Sequence, residues 1–398
     1  MPSEREAVVI GAGPGGLSVA ATLGLAGVDA VVLERAGTVG SAWRTHYERL
    51  HLHTVRWLSH LPGHPIPRRF GRWVSRDKVI SYLEGYARHH RLDIRFDTTV
   101  ERIEREDGRW RVCTDGGDVL AAYVVVATGH NHTPVIPDWP GLEGFTGDLV
   151  HSKDYRDGER YHGRDVLVVG SGNTGAEIAI ELCEAGAARV RLSVRTPPHM
   201  VPRDAVGLPG QVVGIAVRRL PPAVGDRIIR VNQRVFIGDL SEHGLPLPDE
   251  GVYTHLLRTG GVPILDIGLA RLVREGKVEV VAAVEALDGA EVVLADGSRI
   301  APDAVIAATG FRRGLEPLIG HLGLIGDHGR PVVHGPYTHP DAPRLHFIGF
   351  SDPISGMFRE LNLDAWKIAR AIAADRDGPP ANVTRRPGPL GDRARAKA

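Results

Sequence analysis

The 398 residues carry a formal net charge of zero, with 42% hydrophobic and 24% charged residues. That neutral balance removes the electrostatic case for nucleic acid or an anionic membrane as partner, and the length allows two or three domains. The chain's two cysteines, Cys113 and Cys183, lie far apart, which excludes a disulfide framework and a CxxC redox pair.

The opening "MPSEREAVVI" has acids and no long apolar run, so no signal peptide is expected. No stretch of about 18 apolar residues predicts a transmembrane helix, and a cytoplasmic location is expected. Only five of the 48 basic residues are lysines, a bias that fits a GC-rich bacterial genome.

In chain order, residues 7–10 predict a buried strand, Gly11, Gly13 and Gly16 form GxGxxG, 17–25 predict a helix ended by Gly27, and 30–33 predict a second strand with Glu34 at its end. Gly11 permits the tight turn, Gly13 lets a pyrophosphate approach the backbone, and Gly16 lets helix pack on strand. The helix N-terminus offers N–H groups to phosphates, and Glu34 can accept from a ribose diol. Strand, turn, helix, strand and terminal acid together make a strong dinucleotide signal.

Residues 110–129 read as a hairpin and a strand ending in Ala-Thr-Gly, and 291–310 repeat that pattern. Between them, 166–169 predict a strand, Gly170, Gly172 and Gly175 form a second fingerprint, 176–184 predict a helix, and 189–194 a strand. Glu34 lies 23 residues after Gly11, whereas that offset from Gly170 gives Ser193, with Arg195 two residues on. An acid repels a 2′-phosphate and an arginine binds one. The first unit therefore suits FAD or NAD and the second NADPH, with Arg195 as a solvated surface residue the alternative. Two such sites imply electron transfer from NADPH to a flavin.

The expected fold class is α/β: two dinucleotide-binding, Rossmann-like domains, with a three-layer FAD domain that receives an inserted NADPH domain, as in glutathione-reductase-like flavoproteins. The FAD domain is expected at 1–140 and 311–375, the NADPH domain at 141–310, and a disordered tail at 376–398. Residues 344–374 predict a strand, a loop and a helix whose buried face carries Leu361, Leu363, Ala365, Ile368 and Ile372. Residues 197–248 have helical spacing broken by Pro221 and Pro222; packing on the NADPH domain, a tunnel cover and a membrane contact all remain open. Nineteen histidines include neighbours at 46, 51, 53, 60, 64, 130 and 132, but no metal-ligand spacing, so no metal is expected. No G-x-S-x-G elbow supports a hydrolase.

The segment "GFTGDLVHSKDY" places Phe145, Gly147, His151 and Tyr155 just ahead of the second fingerprint. It resembles the FxGxxxHxxx(F/Y) signature of the class B flavin-containing monooxygenases. Tyr155, where a tryptophan would mark the Baeyer–Villiger branch, points to the other branch. "GSAWR", "LHLHTVRWLSHLP", "SVRTPPHMVPR", "IGDLSEHGLP", "PILDIG" and both Ala-Thr-Gly segments look most like the YUCCA-type enzymes and their bacterial relatives. His53 supports that branch, since the animal enzymes carry asparagine there; Arg156 stands where lysine is common.

The resemblance implies a monooxygenase that forms a C4a-(hydro)peroxyflavin and oxygenates a small substrate with O2, with oxidative decarboxylation of an aryl-pyruvate such as indole-3-pyruvate as one outcome. N- or S-oxygenation and an NADPH oxidase or flavin reductase without productive oxygenation are the alternatives. FAD would be held by Gly11, Gly13, Gly15, Gly16, Glu34 and Arg35, with Trp43, Arg44, His53, Thr128, Gly129, Gly349 and Phe350. NADPH would be held by Gly170, Ser171, Gly172, Asn173, Thr174 and Gly175, with Ser193, Arg195, Thr309 and Gly310. His53 is the candidate catalytic residue, Phe145, Gly147, His151 and Tyr155 are expected to shape the crossing between domains and gate it, and a homodimer is compatible with the sequence.

Overall fold

The computed structural model describes residues 2–378. Among them the chain forms two compact units: one takes the residues up to Thr45, Val55–Thr133 and those from Phe311 onward, the other His46–Thr54 and Pro134–Gly310.

The first unit begins with β1 (Ser3–Ile10), α1 (Pro14–Leu25) and β2 (Ala30–Leu33), followed by α2 (Arg76–His89), β3 (Asp93–Arg95), β4 (Val100–Glu106), β5 (Arg109–Thr114) and β6 (Val119–Val126). The sheet runs β3-β2-β1-β6-β5-β4. The pairs β3–β2, β2–β1 and β1–β6 are parallel, whereas β6–β5 and β5–β4 are antiparallel. Strands buried on both faces read as unbroken apolar runs, which is why Ala7–Ile10 and Tyr123–Val126 lack alternation. Val8, Ile10, Val31, Leu33, Val124 and Val126 pack with Ile103, Trp110 and Val112, while Val9 turns toward α1, its Cγ1 3.3 Å from where a Gly16 Cβ would stand. Helix α1 starts one turn earlier than the apolar spacing predicts, because Pro14 at its first position has a fixed φ suited to helix entry.

The second unit holds a five-stranded, all-parallel sheet. Its members are β7 (Asp148–His151), β8 (Asp165–Val169), β9 (Arg189–Ser193), β12 (Val278–Val281) and β13 (Ala304–Ala307), in the order β7-β13-β8-β9-β12. Helix α3 (Asn173–Glu184) joins β8 to β9. Between β9 and β12 come β10 (Met200–Pro202), α4 (Pro222–Phe236), α5 (Val252–Thr259) and β11 (Ile264–Asp266), with β10 and β11 paired in parallel. A short helix, Gly210–Val217, precedes Pro221, and Pro222 opens α4 at a position where a missing N–H costs nothing, so the prolines break the helical spacing as expected.

The chain then returns to the first unit with β14 (Leu345–Phe347), parallel to β6, and α6 (Met357–Asp377). Helix α6 lies along α1, where the Thr22 hydroxyl donates to the Ala365 carbonyl at 3.1 Å. Leu361, Ala365, Ile368, Ala369 and Ile372 form its buried face, but Leu363 is 38% exposed. A 3.6-residue period carries position 363 about 200° from 361, so Leu363 falls off the stripe the sequence assigned it to. The helix also extends through Asp377, two residues into the segment expected as a disordered tail; residues 379–398 of that tail lie outside the described residues. No helix among the described residues is long and apolar enough to cross a membrane.

Candidate functional site

In the first unit, β1, β6 and β14 end in register, with Ile10 beside Val126 and Val126 beside Phe347. Their continuations, Gly11, Thr128–Gly129 and Gly349–Phe350, therefore emerge at one carboxyl edge, where open α/β sheets bind ligands. Gly11 has φ +105°, and a Cβ on Gly16 would stand 1.8 Å from the Gly11 carbonyl oxygen. Nothing lies within 4 Å of where a Gly13 Cβ would stand, and no side chain caps α1. An uncapped helix start behind an open glycine is the physical requirement for a phosphate. The Thr128 hydroxyl is buried beside this turn with no partner among the described residues, a second polar group that a ligand would satisfy.

Glu34 is buried, and its carboxylate accepts the Ala12 N–H at 2.7 Å, the Ala36 N–H at 3.0 Å and the Ser41 hydroxyl at 3.3 Å. It thus ties the glycine turn to the end of β2, and a carboxylate's remaining lone pair is left for a ribose hydroxyl. Arg35 donates to His132 Nε2 at 2.8 Å, Arg44 pairs with Glu84, and Trp43 meets Phe358 edge-on at 5.8 Å. Gly15 faces Leu361 and Ile348, so its role is packing α1 against α6.

The second unit repeats the arrangement. Gly170 has φ +114°, and a Gly175 Cβ would stand 1.9 Å from the Gly170 carbonyl oxygen, while Gly172 is open. Helix α3, with Thr174 in its first turn, has no side-chain cap at its start. Asn173 instead donates to the Pro263 carbonyl at 3.2 Å and accepts the Leu265 N–H at 2.8 Å, pinning the start of β11. The Ser193 hydroxyl is buried and donates to the Ala282 carbonyl at 2.9 Å, and Thr309 donates to the Val135 carbonyl. Arg195 is exposed and forms no ion pair with the described residues.

The signature segment forms the edge of this sheet. Phe145 packs with Trp139, Leu167 and Leu287, and its ring lies where a Gly147 side chain would go, Cζ being 2.5 Å from that Cβ position. Strand β7 then ends at His151, paired with Ala307, which places His151 at the same carboxyl edge as Gly170. His151 Nε2 donates to the Gly310 carbonyl at 3.1 Å and Nδ1 accepts the Lys153 N–H at 3.0 Å. One donor and one acceptor define a neutral imidazole, and burial lowers its pKa further. Tyr155 is buried, stacks on Tyr161 at 5.7 Å and donates to Glu181 at 3.0 Å; burial, then Glu181, pushes its pKa well up.

Sequence reasoning missed Glu177. This residue is buried on α3, where Tyr47 donates to Oε2 at 2.9 Å and His53 Nε2 donates to Oε1. Burial raises its pKa, but the His53 and Tyr47 hydrogen bonds outweigh that, and the carboxyl lies below its ordinary value. His53 Nδ1 makes no hydrogen bond with the described residues. Glu177, Glu181 and Glu184 recur at helical spacing and hold His53 and Tyr47, Tyr155, and Arg49 respectively. The signal in the sequence was an acid two residues after the third glycine, inside the apolar run "GAEIAIEL".

Comparison with known proteins agrees with this geometry. Residues 8–206 match the model of the pyridine nucleotide-disulphide oxidoreductase family. The chain is similar to indole-3-pyruvate monooxygenase YUCCA1 of Oryza sativa subsp. japonica, at 37% identity over 87% of this chain and 86% of that protein. Among solved structures it is similar to the flavin-containing monooxygenase of Stenotrophomonas maltophilia, at 25% identity and TM-score 0.71 over 94% of this chain and 99% of the other. An oxidized steroid monooxygenase bound to NADP shares the fold at TM-score 0.72 and 21% identity, over 94% of this chain and 86% of the other. The chain belongs to the class B flavin-containing monooxygenases on the pyridine nucleotide–disulphide oxidoreductase fold, and it is a flavin-dependent monooxygenase that uses FAD and NADPH.

Proposed function

We propose that the first unit is the FAD domain, the second the NADPH domain, and the substrate an aryl-pyruvate such as indole-3-pyruvate. The reaction is oxidative decarboxylation: aryl-pyruvate, O2, NADPH and a proton give the aryl-acetate, CO2, NADP⁺ and water. The observation that carries the cofactor assignment is the contrast between two matched strand ends, a buried Glu34 against an exposed Arg195 with no ion-pair partner among the described residues. The substrate class rests on the names of the plant relatives and on His53.

FAD supplies the oxygen chemistry when bound. In this reading Gly11–Gly16 and Glu34 hold its pyrophosphate and ribose, and the Thr128 hydroxyl offers a hydrogen bond. Gly170–Gly175 hold the nicotinamide dinucleotide's pyrophosphate, and Arg195 holds its 2′-phosphate. His151, neutral and bonded at both nitrogens, is a fastening between β7 and the end of β13 and no acid–base catalyst. His53, oriented by Glu177, keeps its free Nδ1 as the proton site of the reaction.

Two measurements test this reading. Arg195→Ala should raise KM for NADPH by at least about tenfold while leaving KM for NADH nearly unchanged, since about 1.4 kcal/mol of phosphate contact is lost; equal effects would remove Arg195 from the site. Isotope-labelled O2 should place one oxygen atom in the aryl-acetate and evolve CO2 in step with NADPH use. NADPH consumed with only hydrogen peroxide as product, across aryl-pyruvates, amines and sulfides, would make the chain an oxidase.

A further inference from the structure

Three side chains that neither glycine turn uses meet elsewhere in the second unit. His199 immediately precedes β10 and is buried, while Glu250 and His255 flank the start of α5. The fold brings them together because the His199 carbonyl accepts the Ile264 N–H at 2.8 Å, and β10 pairs with β11, the strand that follows α5. One ligand atom from each, two imidazole nitrogens and a carboxylate oxygen, lie within 4.8 Å of one another.

The bland account is an ion-pair network at a helix start. His255 Nδ1 lies 2.9 Å from Glu250 Oε2, and Arg258 grips both Glu250 oxygens at 2.9 and 2.7 Å. That network leaves His199 out. Its ring is tilted over His255 at 4.7 Å between centroids, and neither of its nitrogens makes a hydrogen bond with the described residues. The His199 ring atom that can bind a metal lies within 4.8 Å of two other ligand types, the Glu250 carboxylate and the His255 imidazole. Burial, then His255, lowers the His199 pKa to about 4. Asp226 and Arg230 are the other charges that act on it.

We propose that His199, Glu250 and His255 bind one zinc-class divalent cation, which ties α5 to β10. Two nitrogens and one carboxylate oxygen suit Zn²⁺, Co²⁺ or Ni²⁺ and do not suit Mg²⁺ or Ca²⁺, which take oxygen ligands. Bonds of about 2.0–2.1 Å in a tetrahedral site separate the donors by roughly 3.3 Å. The His255–Glu250 edge already approximates that distance, and His199, whose ligand atom lies within 4.8 Å of the others, has to close by at most roughly 1.5 Å. Arg258 is largely exposed and can leave one Glu250 oxygen for water, and the fourth ligand position is open.

The test uses the tag-free, FAD-loaded full chain, stripped with a chelator and titrated with Zn²⁺ by calorimetry. One equivalent should bind and raise Tm, and His255→Ala and Glu250→Gln, both at partly exposed positions, should each weaken that binding by more than about tenfold. His199→Ala should do the same; should it fail to fold, the other two variants decide. Absence of Zn²⁺ uptake by the unaltered chain overturns the proposal. So does uptake that persists with unchanged affinity in His255→Ala and Glu250→Gln, because the ion would then sit on other histidines.

Discussion

Two glycines in one fingerprint make opposite demands. A Gly16 Cβ would stand 1.8 Å from a backbone oxygen, whereas a Gly13 Cβ would meet nothing within 4 Å. Gly16→Ala should therefore abolish soluble, folded protein. Gly13→Ala should fold with an unchanged apo-protein Tm and lose FAD, read as a lower ratio of flavin to protein absorbance; full FAD retention would show that the open space at Gly13 is not the phosphate site. Glu177 is the other residue on which much rests. Glu177→Gln keeps the volume but sets an amide N–H against one of two donors, Tyr47 or His53. It should cost roughly 1.5–3 kcal/mol of stability and raise the hydrogen peroxide released per NADPH. A stability loss with unchanged coupling would make Glu177 structural only.

Helix α3 shows how one element serves two purposes. Its uncapped start is the proposed dinucleotide site, and its flank presents Glu177, Glu181 and Glu184 to partners from residues 47–53 and to Tyr155. A helix spacing of three and four residues puts these acids on one side, so the periodicity was visible, but what they hold was not. Strand β7 makes a related point. Phe145 and Gly147 are a fitted pair at its entrance, because the ring occupies the place of a side chain at 147. Gly147→Ala should cost roughly 1–3 kcal/mol by overpacking, and in a Phe145→Ala background that cost should largely vanish. A Gly147→Ala cost that is the same in both backgrounds would mean that backbone freedom, and not the ring, requires the glycine.

Acid sensitivity is a property of the whole chain, because each unit buries a neutral histidine. His346 in the first and His199 in the second have pKa values lowered by burial from 6.5 to about 4. Between these values the unfolded chain binds a proton that the folded chain refuses, so stability rises with pH across that window and is lost as pH falls from about 6.5 toward 4. Urea unfolding of chelator-treated protein at a series of pH values should show this slope, and His346→Gln should reduce proton uptake on unfolding near pH 5 by about one. A flat profile from pH 6.5 to 4 would contradict the burial of both rings. The sequence by itself determined the two glycine turns, the flanking strands and helices, and the choice of Glu34 against Ser193 and Arg195, because phosphate approach and helix entry are local demands on a few neighbouring residues. It also showed the oxygenase signature as a string of residue types. Only the tertiary structure decided that His53 leans on Glu177, 124 residues away, that His151 is spent at both nitrogens, that Leu363 leaves the buried stripe, and that His199 meets Glu250 and His255. Side-chain partnership across such distances is set by sheet register and helix rotation, which no local spacing encodes.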